Sequence, residues 1–365
     1  ELAELGAVYD SGALSNRNVI INGAMEVAQR GTSTTTSGAF ICDRFSSDSS
    51  GGTVTHEQVS VSSSDTPYSS GFRKALKLTN TSAGSTATTD YRRILTKIEA
   101  QNIASSGWEY TSSSSNITLS FWVKSSLAGT YSISMYTADG TTQNYSFDYT
   151  LVADTWKKVS HTIPGNSNIT INSDDGEGYR ISIWPHLGTN YTTSGHTDET
   201  WAAYSSSSQT GDYAQNWAST ASATFFVTGV QLEVGTEATP FEHRSFGDEL
   251  IRCQRYFNRY VTSGGFTAIM PSINGGTTNA RCGVPLSTKL RTTPTLTASG
   301  TNALQIRNHG SFTTLGSTSI ALGNEQQTEP NLVLLSVTVA SGLTSAGINI
   351  PYLNTNAYLD FDAEL

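Results

Sequence analysis

Gly229-Val-Gln-Leu-Glu-Val-Gly-Thr-Glu-Ala-Thr-Pro-Phe-Glu-His-Arg-Ser-Phe-Gly-Asp-Glu-Leu-Ile-Arg-Cys-Gln-Arg-Tyr-Phe-Asn-Arg259 is written in two periods. Before Pro240, apolar and polar residues alternate, as in a strand with one buried and one wet face. After Ser245, the apolar residues Phe246, Leu250, Cys253 and Phe257 recur at four-three-four spacing, one stripe along a helix. Ser245 with Asp248 makes a capping-box-like start, and Asp248 and Glu249 suit the positive end of the helix dipole. The last strand of one domain thus runs through a turn into a helix, expected over residues 245–260, that begins something else. The stripe covers about three turns, too few for a stable coiled coil alone. It suits docking on the second domain or packing about a three-fold axis.

Upstream, period-two alternation dominates. Ile117, Leu119, Phe121 and Val123 alternate with Asn116, Thr118, Ser120 and Trp122. Tyr131, Ile133 and Met135 follow the same rule, as do Tyr145, Phe147 and Tyr149, then Tyr179, Ile181 and Ile183, and finally the run from Phe226 to Val234. Turn signals at Ala138-Asp-Gly140, Pro164-Gly165 and Asp175-Gly176 separate the runs. This pattern predicts an antiparallel sandwich. Downstream, Asn331 to Ala340 and Ala357 to Ala363 read as strands of a second, smaller β domain, expected to be a sandwich. The layout is a connector at 1–16, a β domain at 17–241, a linker helix at 242–260 and a C-terminal β domain at 261–365. The fold class is all-β. No repeat of the length used by solenoids is present, which speaks against a long β-helix.

Composition narrows the function classes. Only 14% of the 365 residues are charged, and Ser, Thr, Asn and Gly stand in their place. With 36% apolar residues, 16 Tyr, 13 Phe and 6 Trp, the chain can build real cores. The net charge of −9 and the shortness of the basic runs at Arg92-Arg93 and Arg252 to Arg259 exclude a nucleic-acid binder. An acidic surface likewise gains nothing from Coulomb attraction to an anionic bacterial envelope, so contact with a cell would rely on stacking and hydrogen bonds. Cys42, Cys253 and Cys282 have no metal-ligand spacing and read as reduced, buried thiols. No apolar run approaches the length needed to cross a membrane. The chain opens on Glu1, which points to processing or to a longer parent.

Three blocks resemble bacteriophage tail-fibre and receptor-binding proteins: the junction quoted above, Asn16-Arg-Asn-Val-Ile-Ile-Asn-Gly-Ala-Met-Glu-Val-Ala-Gln-Arg-Gly31 followed by Asp43-Arg-Phe45, and Tyr358-Leu-Asp-Phe-Asp-Ala-Glu-Leu365. Together they bracket nearly the whole chain. The segment Asn18 to Glu26 is also similar to the first strand of jelly-roll carbohydrate-binding modules. The resemblance implies a jelly-roll β-sandwich, a virion location with assembly in the host cytoplasm, other tail proteins as partners, and a homotrimer. It names no host and no sugar. In such jelly rolls a glutamate near the first strand and an acidic pair in the last one often hold a structural calcium ion. Glu26 matches the first and Glu233 lies in the last strand, but Thr228-Gly229 stand where the pair belongs, so the pattern is broken. No other cofactor is implied. The acidic turn Asn172 to Glu177 lacks EF-hand spacing and reads as a solvated turn.

The residues that could read a glycan concentrate in one loop. Trp184, Tyr191, Trp201, Tyr204, Tyr213 and Trp217 lie among Gly, Ser and Thr, with Asp198, Gln209, Asp212, Gln215 and Asn216 beside them. Sugar rings offer C–H faces to aromatic planes and hydroxyls to amides and carboxylates. The same aromatics would equally fill a small loop core or a subunit interface. Trp122 faces opposite to its apolar neighbours, where it would meet a sugar or a covering loop. Catalytic motifs are absent: there is no nucleophile elbow, no phosphate-cradling loop and no His-Glu-x-x-His. A carboxylate pair for glycoside cleavage is not legible in a sequence. His243, inside Phe241-Glu-His-Arg244, is expected to make a structural hydrogen bond. The leading reading is a non-enzymatic tail fibre or spike subunit that recognises a host-surface glycan. The alternatives are a purely structural tail or baseplate subunit and, after it, a polysaccharide depolymerase.

Overall fold

The computed structural model describes residues 16–213, 215–262, 265–308, 314–323 and 332–365. The connector lies almost wholly outside these residues. The chain divides into two compact units between Glu249 and Leu250.

In chain order, the strands of the first unit are β1 (Ser33–Thr34), β2 (Ala39–Cys42), β3 (Phe45–Ser50), β4 (Val54–Ser60), β5 (Lys74–Asn80) and β6 (Tyr91–Glu99). There follow β7 (Asn116–Ser125), β8 (Gly129–Thr137), β9 (Gln143–Leu151), β10 (Lys157–Pro164), β11 (Glu177–Leu187), β12 (Ala202–Ala203) and β13 (Thr224–Val234). Two short helices, α1 (Thr66–Ser69) and α2 (Ala100–Ala104), interrupt them. One sheet has the order β1-β4-β5-β13-β7-β10 and the other β12-β9-β8-β11-β6-β3-β2, all antiparallel pairings. This is a jelly roll, and its strands match the alternating runs of the sequence except in β13, where a bulge between Thr228 and Gln231 leaves Phe225 and Val227, not Phe226, in the core and Val234 exposed.

Alternation places one set of side chains inside. Ile117, Leu119, Phe121 and Val123 of β7 meet Tyr131, Ile133 and Met135 of β8 and Ile181 and Ile183 of β11 in a single core, each at most 2% exposed. Burial of this kind contributes about 25 cal/mol per Å² of apolar surface. Trp201 and Trp217 join the same core from the long loop.

The first segment is not a strand, contrary to the sequence expectation. It does lie beside the last strand: Val19 N–H donates to Leu232 O (3.1 Å) and Val230 N–H to Gly23 O (2.9 Å). Asn18, however, replaces the ladder with its side chain, taking N–H groups from Ile20 and Leu232 and donating to Val230 O. Asn22 and Met25 then turn left-handed, at φ of 60° and 59°, which ends extended geometry. Gly23 cannot be replaced without movement, since a Cβ there would lie 2.0 Å from Val230 O.

One buried histidine makes the first unit acid-sensitive. His56 on β4 is fully buried, neither ring nitrogen has a partner, and burial lowers its pKa from 6.5 to about 4. The neutral ring is the native form. As pH falls below 6.5 the unfolded chain takes a proton that the folded one refuses, so stability present above that pH is lost until about pH 4. The shift corresponds to roughly 3 kcal/mol. Between about pH 7 and about pH 4, wild type should lose that much more unfolding free energy than His56→Leu, measured in urea across the pH series. Parallel curves for the two proteins would contradict this.

The helix at the junction, α3, spans Phe246–Gln254. Its start is as expected: Asp248 N–H donates to Ser245 Oγ (3.2 Å) and that hydroxyl donates back to Asp248 (2.6 Å). Its end is not. The helix stops before residue 260, and Phe257 belongs to β14 (Phe257–Val261). The spacing of Phe257 in the stripe is fortuitous, because pairing with the C-terminal strand offers the aromatic residues a better burial.

The second unit continues with β15 (Thr267–Ala268), β16 (Ser272–Asn274), β17 (Asn279–Pro285), β18 (Thr295–Ala298) and β19 (Leu304–Asn308). It ends with β20 (Thr314–Leu322), β21 (Leu332–Val339), β22 (Ile348–Leu353) and β23 (Tyr358–Asp362). Strands β22-β16-β17-β21-β20-β19 form a ring, because β19 pairs with β22 as well as β20. Where a sandwich was expected, the sheet closes into a barrel, which removes exposed edges. A three-stranded sheet, β14-β23-β18, accompanies it, cross-linked by the Arg259–Asp360 pair (2.7 and 2.6 Å). All three cysteines are buried thiols outside any disulfide, and burial raises the Cys42 and Cys282 thiols, the latter to about 12.

Candidate functional site

The outer face of the seven-stranded sheet carries a cleft because of how three rows of side chains line up. Residues 180, 182 and 184 of β11 point away from the core, opposite to Tyr179, Ile181 and Ile183. Register sets Arg180 between Tyr136 and Lys97, Ser182 between Ser134 and Leu95, and Trp184 beside Ser132. In the middle row Ser182 and Ser134 are short, while Arg180, Tyr136 and Trp184 stand up in the rows on either side. The result is a trough of about 170 Å³, lined on the sheet by Tyr91, Arg93, Ser134, Tyr136, Asn144, Arg180, Ser182 and Trp184.

The long loop after β11 roofs it with Tyr191, Tyr204 and Gln209. Backbone bonds tie this loop to the sheet: Tyr204 N–H to Thr142 O (2.9 Å), Glu199 N–H to Ser146 O (2.7 Å) and Gln209 N–H to Tyr191 O (2.8 Å). Side chains reinforce them. Asn144 donates to Gln209 O (3.0 Å), and the Ser146 hydroxyl bonds both Asp198 (2.5 Å) and His196 (2.6 Å). The loop is long in sequence but held at several points, so the cleft is formed in the free protein.

Two charge pairs define the electrostatics. Arg93 binds Asp48 through Nε (2.9 Å) and Nη2, and its guanidinium lies 5.4 Å from the Trp184 ring centre. Arg180 binds Glu177 with both Nε (2.6 Å) and Nη2 (3.0 Å) and lies 4.7 Å from the Tyr136 ring centre. Burial opposes the Arg180 charge, but Glu177 outweighs it and the guanidinium titrates above its usual value. Lys97 shares Glu177 at 3.2 Å. Among the described residues no Asp or Glu lines the trough itself.

The seven aromatic residues expected to bind glycan separate into groups. Trp184, Tyr191 and Tyr204 meet in the cleft. Trp184 is its floor rather than an open platform: it is 2% exposed and its indole N–H donates to Ser134 Oγ (2.9 Å). Tyr213 is placed close by, and its hydroxyl, raised well above its ordinary pKa by burial, donates to Trp184 O (3.5 Å). Trp201 and Trp217 point the other way, into the sandwich. Their indoles donate to Pro164 O (2.7 Å) and Thr224 O (3.2 Å), and they act as anchors of the loop. Trp122 sits on the outer face of the six-stranded sheet, in a second small apolar cluster with Phe72, Tyr68, Trp156 and Phe241. There it packs half-buried among neighbouring side chains, apart from the cleft. His243 closes that cluster, donating to Ser70 O (2.9 Å) as expected.

Tyr91, Arg93, Tyr136 and Arg180 are among the cleft residues not singled out in the sequence. Parity along β8 and β11 marks Tyr136 and Arg180 as outward, but which outward residues become neighbours depends on pairing between distant strands.

Glu26 and Glu233 do not form an ion site. Glu233 accepts from Gln231 Nε2 (2.7 Å), Thr239 N–H (2.9 Å) and Thr239 Oγ1 (2.6 Å), and Arg17 lies at 3.9 Å. Burial raises the Glu26 carboxyl, against the pull of Lys74, Arg73 and His243, so its surroundings are cationic. Among the described residues no group of His, Cys, Asp and Glu is placed to hold a metal.

A wider groove of about 730 Å³ opens between β9 and β10. Its central rings, Phe147 and His161, are stacked on each other at 4.0 Å. That leaves little aromatic surface for a ligand, and the smaller cleft is the better recognition site.

No protein-family model matches the chain, and no curated protein does. Among solved structures, it is similar to a putative sugar-binding protein from Bacteroides thetaiotaomicron, at 13% identity and a TM-score of 0.32, over 60% of this chain and 100% of that one. It is also similar to the N-terminal cellulose-binding domain of a Cellulomonas fimi β-1,4-glucanase, at 11% and 0.30, over 58% and 100%. A tandem of two family 22 carbohydrate-binding modules from Paenibacillus barcinonensis matches at 10% and 0.29, over 96% and 98%. Likenesses this distant decide nothing about ligand or role.

Proposed function

We propose that the chain is a bacteriophage tail-fibre or spike subunit that attaches the virion to its host by binding a surface glycan in the jelly-roll cleft. The observation that carries the binding part is the cleft itself: four tyrosines and two anchored arginines around a serine floor. Rings for C–H faces and N–H donors for hydroxyls are what a saccharide needs, and they are held in place before the ligand arrives. The tail assignment rests on the three sequence blocks described above. From them come a homotrimeric assembly, partners among the other tail proteins, and a virion location after assembly in the host cytoplasm.

A second reading, a structural tail subunit, is favoured by one observation on the barrel. Ile273 and Ile348 face each other across β16 and β22 and are 63% and 67% exposed. Apolar neighbours of that kind mark a contact face.

The two readings differ in what the free protein does to infection. Purified chain, mixed with host cells before the phage, should occupy receptors and reduce phage adsorption. Chain that is detected in purified virions yet leaves adsorption unchanged would favour the structural subunit.

A further inference from the structure

The shape and charge of the cleft narrow its ligand further. Two tyrosine pairs narrow it toward opposite ends of β11. On the β6 side, Tyr91 meets Tyr191 edge to face (6.0 Å), and the Tyr191 hydroxyl donates to Thr89 O (3.3 Å). On the β8 side, Tyr136 meets Tyr204 edge to face (4.8 Å). Each pair joins a sheet residue to a loop residue, so aromatic side chains bridge sheet and loop near both ends of the trough and narrow it there. Its volume of about 170 Å³ is that of a small pocket.

The charges point the same way. Both guanidiniums on the floor are already neutralised by carboxylates, Asp48 and Glu177, and both lie against rings. An anionic ligand would find no bare cation and would lie close to two fixed carboxylates. A hydroxyl loses nothing by this, since the outward N–H groups of a paired guanidinium still donate.

We infer, on the reading that the cleft binds glycan, that it seats a single neutral sugar at the end of a glycan chain. The same walls disfavour both an acidic sugar and the interior of a polysaccharide.

The test is a glycan array probed with the intact chain, followed by titrations of the best binder. Neutral glycans sharing one terminal sugar should bind, and capping that sugar with a further residue should abolish the signal. Affinity should change less than about twofold between low and physiological salt, because no exposed charge draws the ligand in. The Glu177→Gln variant, which unpairs Arg180, should bind the carboxylated form of the same sugar about tenfold better than wild type does. Preferred binding of acidic glycans with a steep salt dependence would overturn the inference and leave glycan recognition standing. Binding to chain-internal units would also overturn it. Silence of the whole array, from folded protein, would remove the glycan reading and this inference with it.

Discussion

Replacing Arg244 with alanine is expected to cost about 3–5 kcal/mol of stability, the range for breaking a buried charged network. Its guanidinium is 8% exposed and lies between two carboxylates, Glu242 (3.2 Å) and Glu249 (3.4 Å). It also donates to Ile20 O (3.1 Å) and Asn18 O. Glu242 in turn accepts the Asn16 and Asn18 N–H groups, and Glu249 that of Asn22. Removing Arg244 strands two carboxylates and two carbonyls at once, at the place where the first segment is clamped to the end of the jelly roll. Urea unfolding checks this. Arg244→Lys should recover only part of the loss, because an ammonium cannot fork between both acids. A loss below about 1 kcal/mol for the alanine variant would show that the clamp is ornamental.

Removing the tyrosines of the cleft should weaken glycan binding strongly with little effect on folding. Tyr136 and Tyr204 are half-buried, touch each other, and belong to no core cluster among the described residues. Aromatic anchors at the centre of a site are worth about 2 kcal/mol each when truncated, which is about 30-fold in affinity. Tyr204→Ala alone should show that loss, and the double variant less than twice as much, because the two rings touch and their contributions are not additive. Thermal melting beside the titration separates a lost contact from a collapsed loop. Trp217→Ala is the contrasting control: it should unfold the loop and lower the melting temperature, since that ring is fully buried. Unchanged affinity in the Tyr136/Tyr204 double variant would move the site elsewhere.

Much of the fold was legible because alternation is a local property. The inward sets of β7, β8, β9 and β11 could be read directly, as could the capped start of α3 and the closing strand β23; the β13 set was read only in its middle, at Val230 and Leu232, because a bulge shifts the alternation. The resemblance blocks were legible for a reason the structure makes plain. Asn16 to Gly23 and Glu242 to Glu249 bond to each other, so their wording encodes one clamp rather than two separate features. What failed was non-local. The end of α3 is set by pairing of β14 with β23, about a hundred residues away. Closure of the barrel depends on β19 meeting β22. In the binding loop, which has no period, nothing distinguishes Trp201 and Trp217, which dive into the core, from Tyr191 and Tyr204, which roof the cleft. The floor residues Arg93 and Arg180 looked like ordinary outward charges until register brought each beside a ring and a carboxylate.

The central claim is that this cleft holds a host glycan. Binding of the intact chain to host cells, measured before and after periodate oxidation of their surface sugars, tests it most directly. Strong binding that disappears on oxidation, and that the Tyr136/Tyr204 double variant lacks on untreated cells, is the predicted result. Binding that survives oxidation, or that the double variant retains in full, would contradict it.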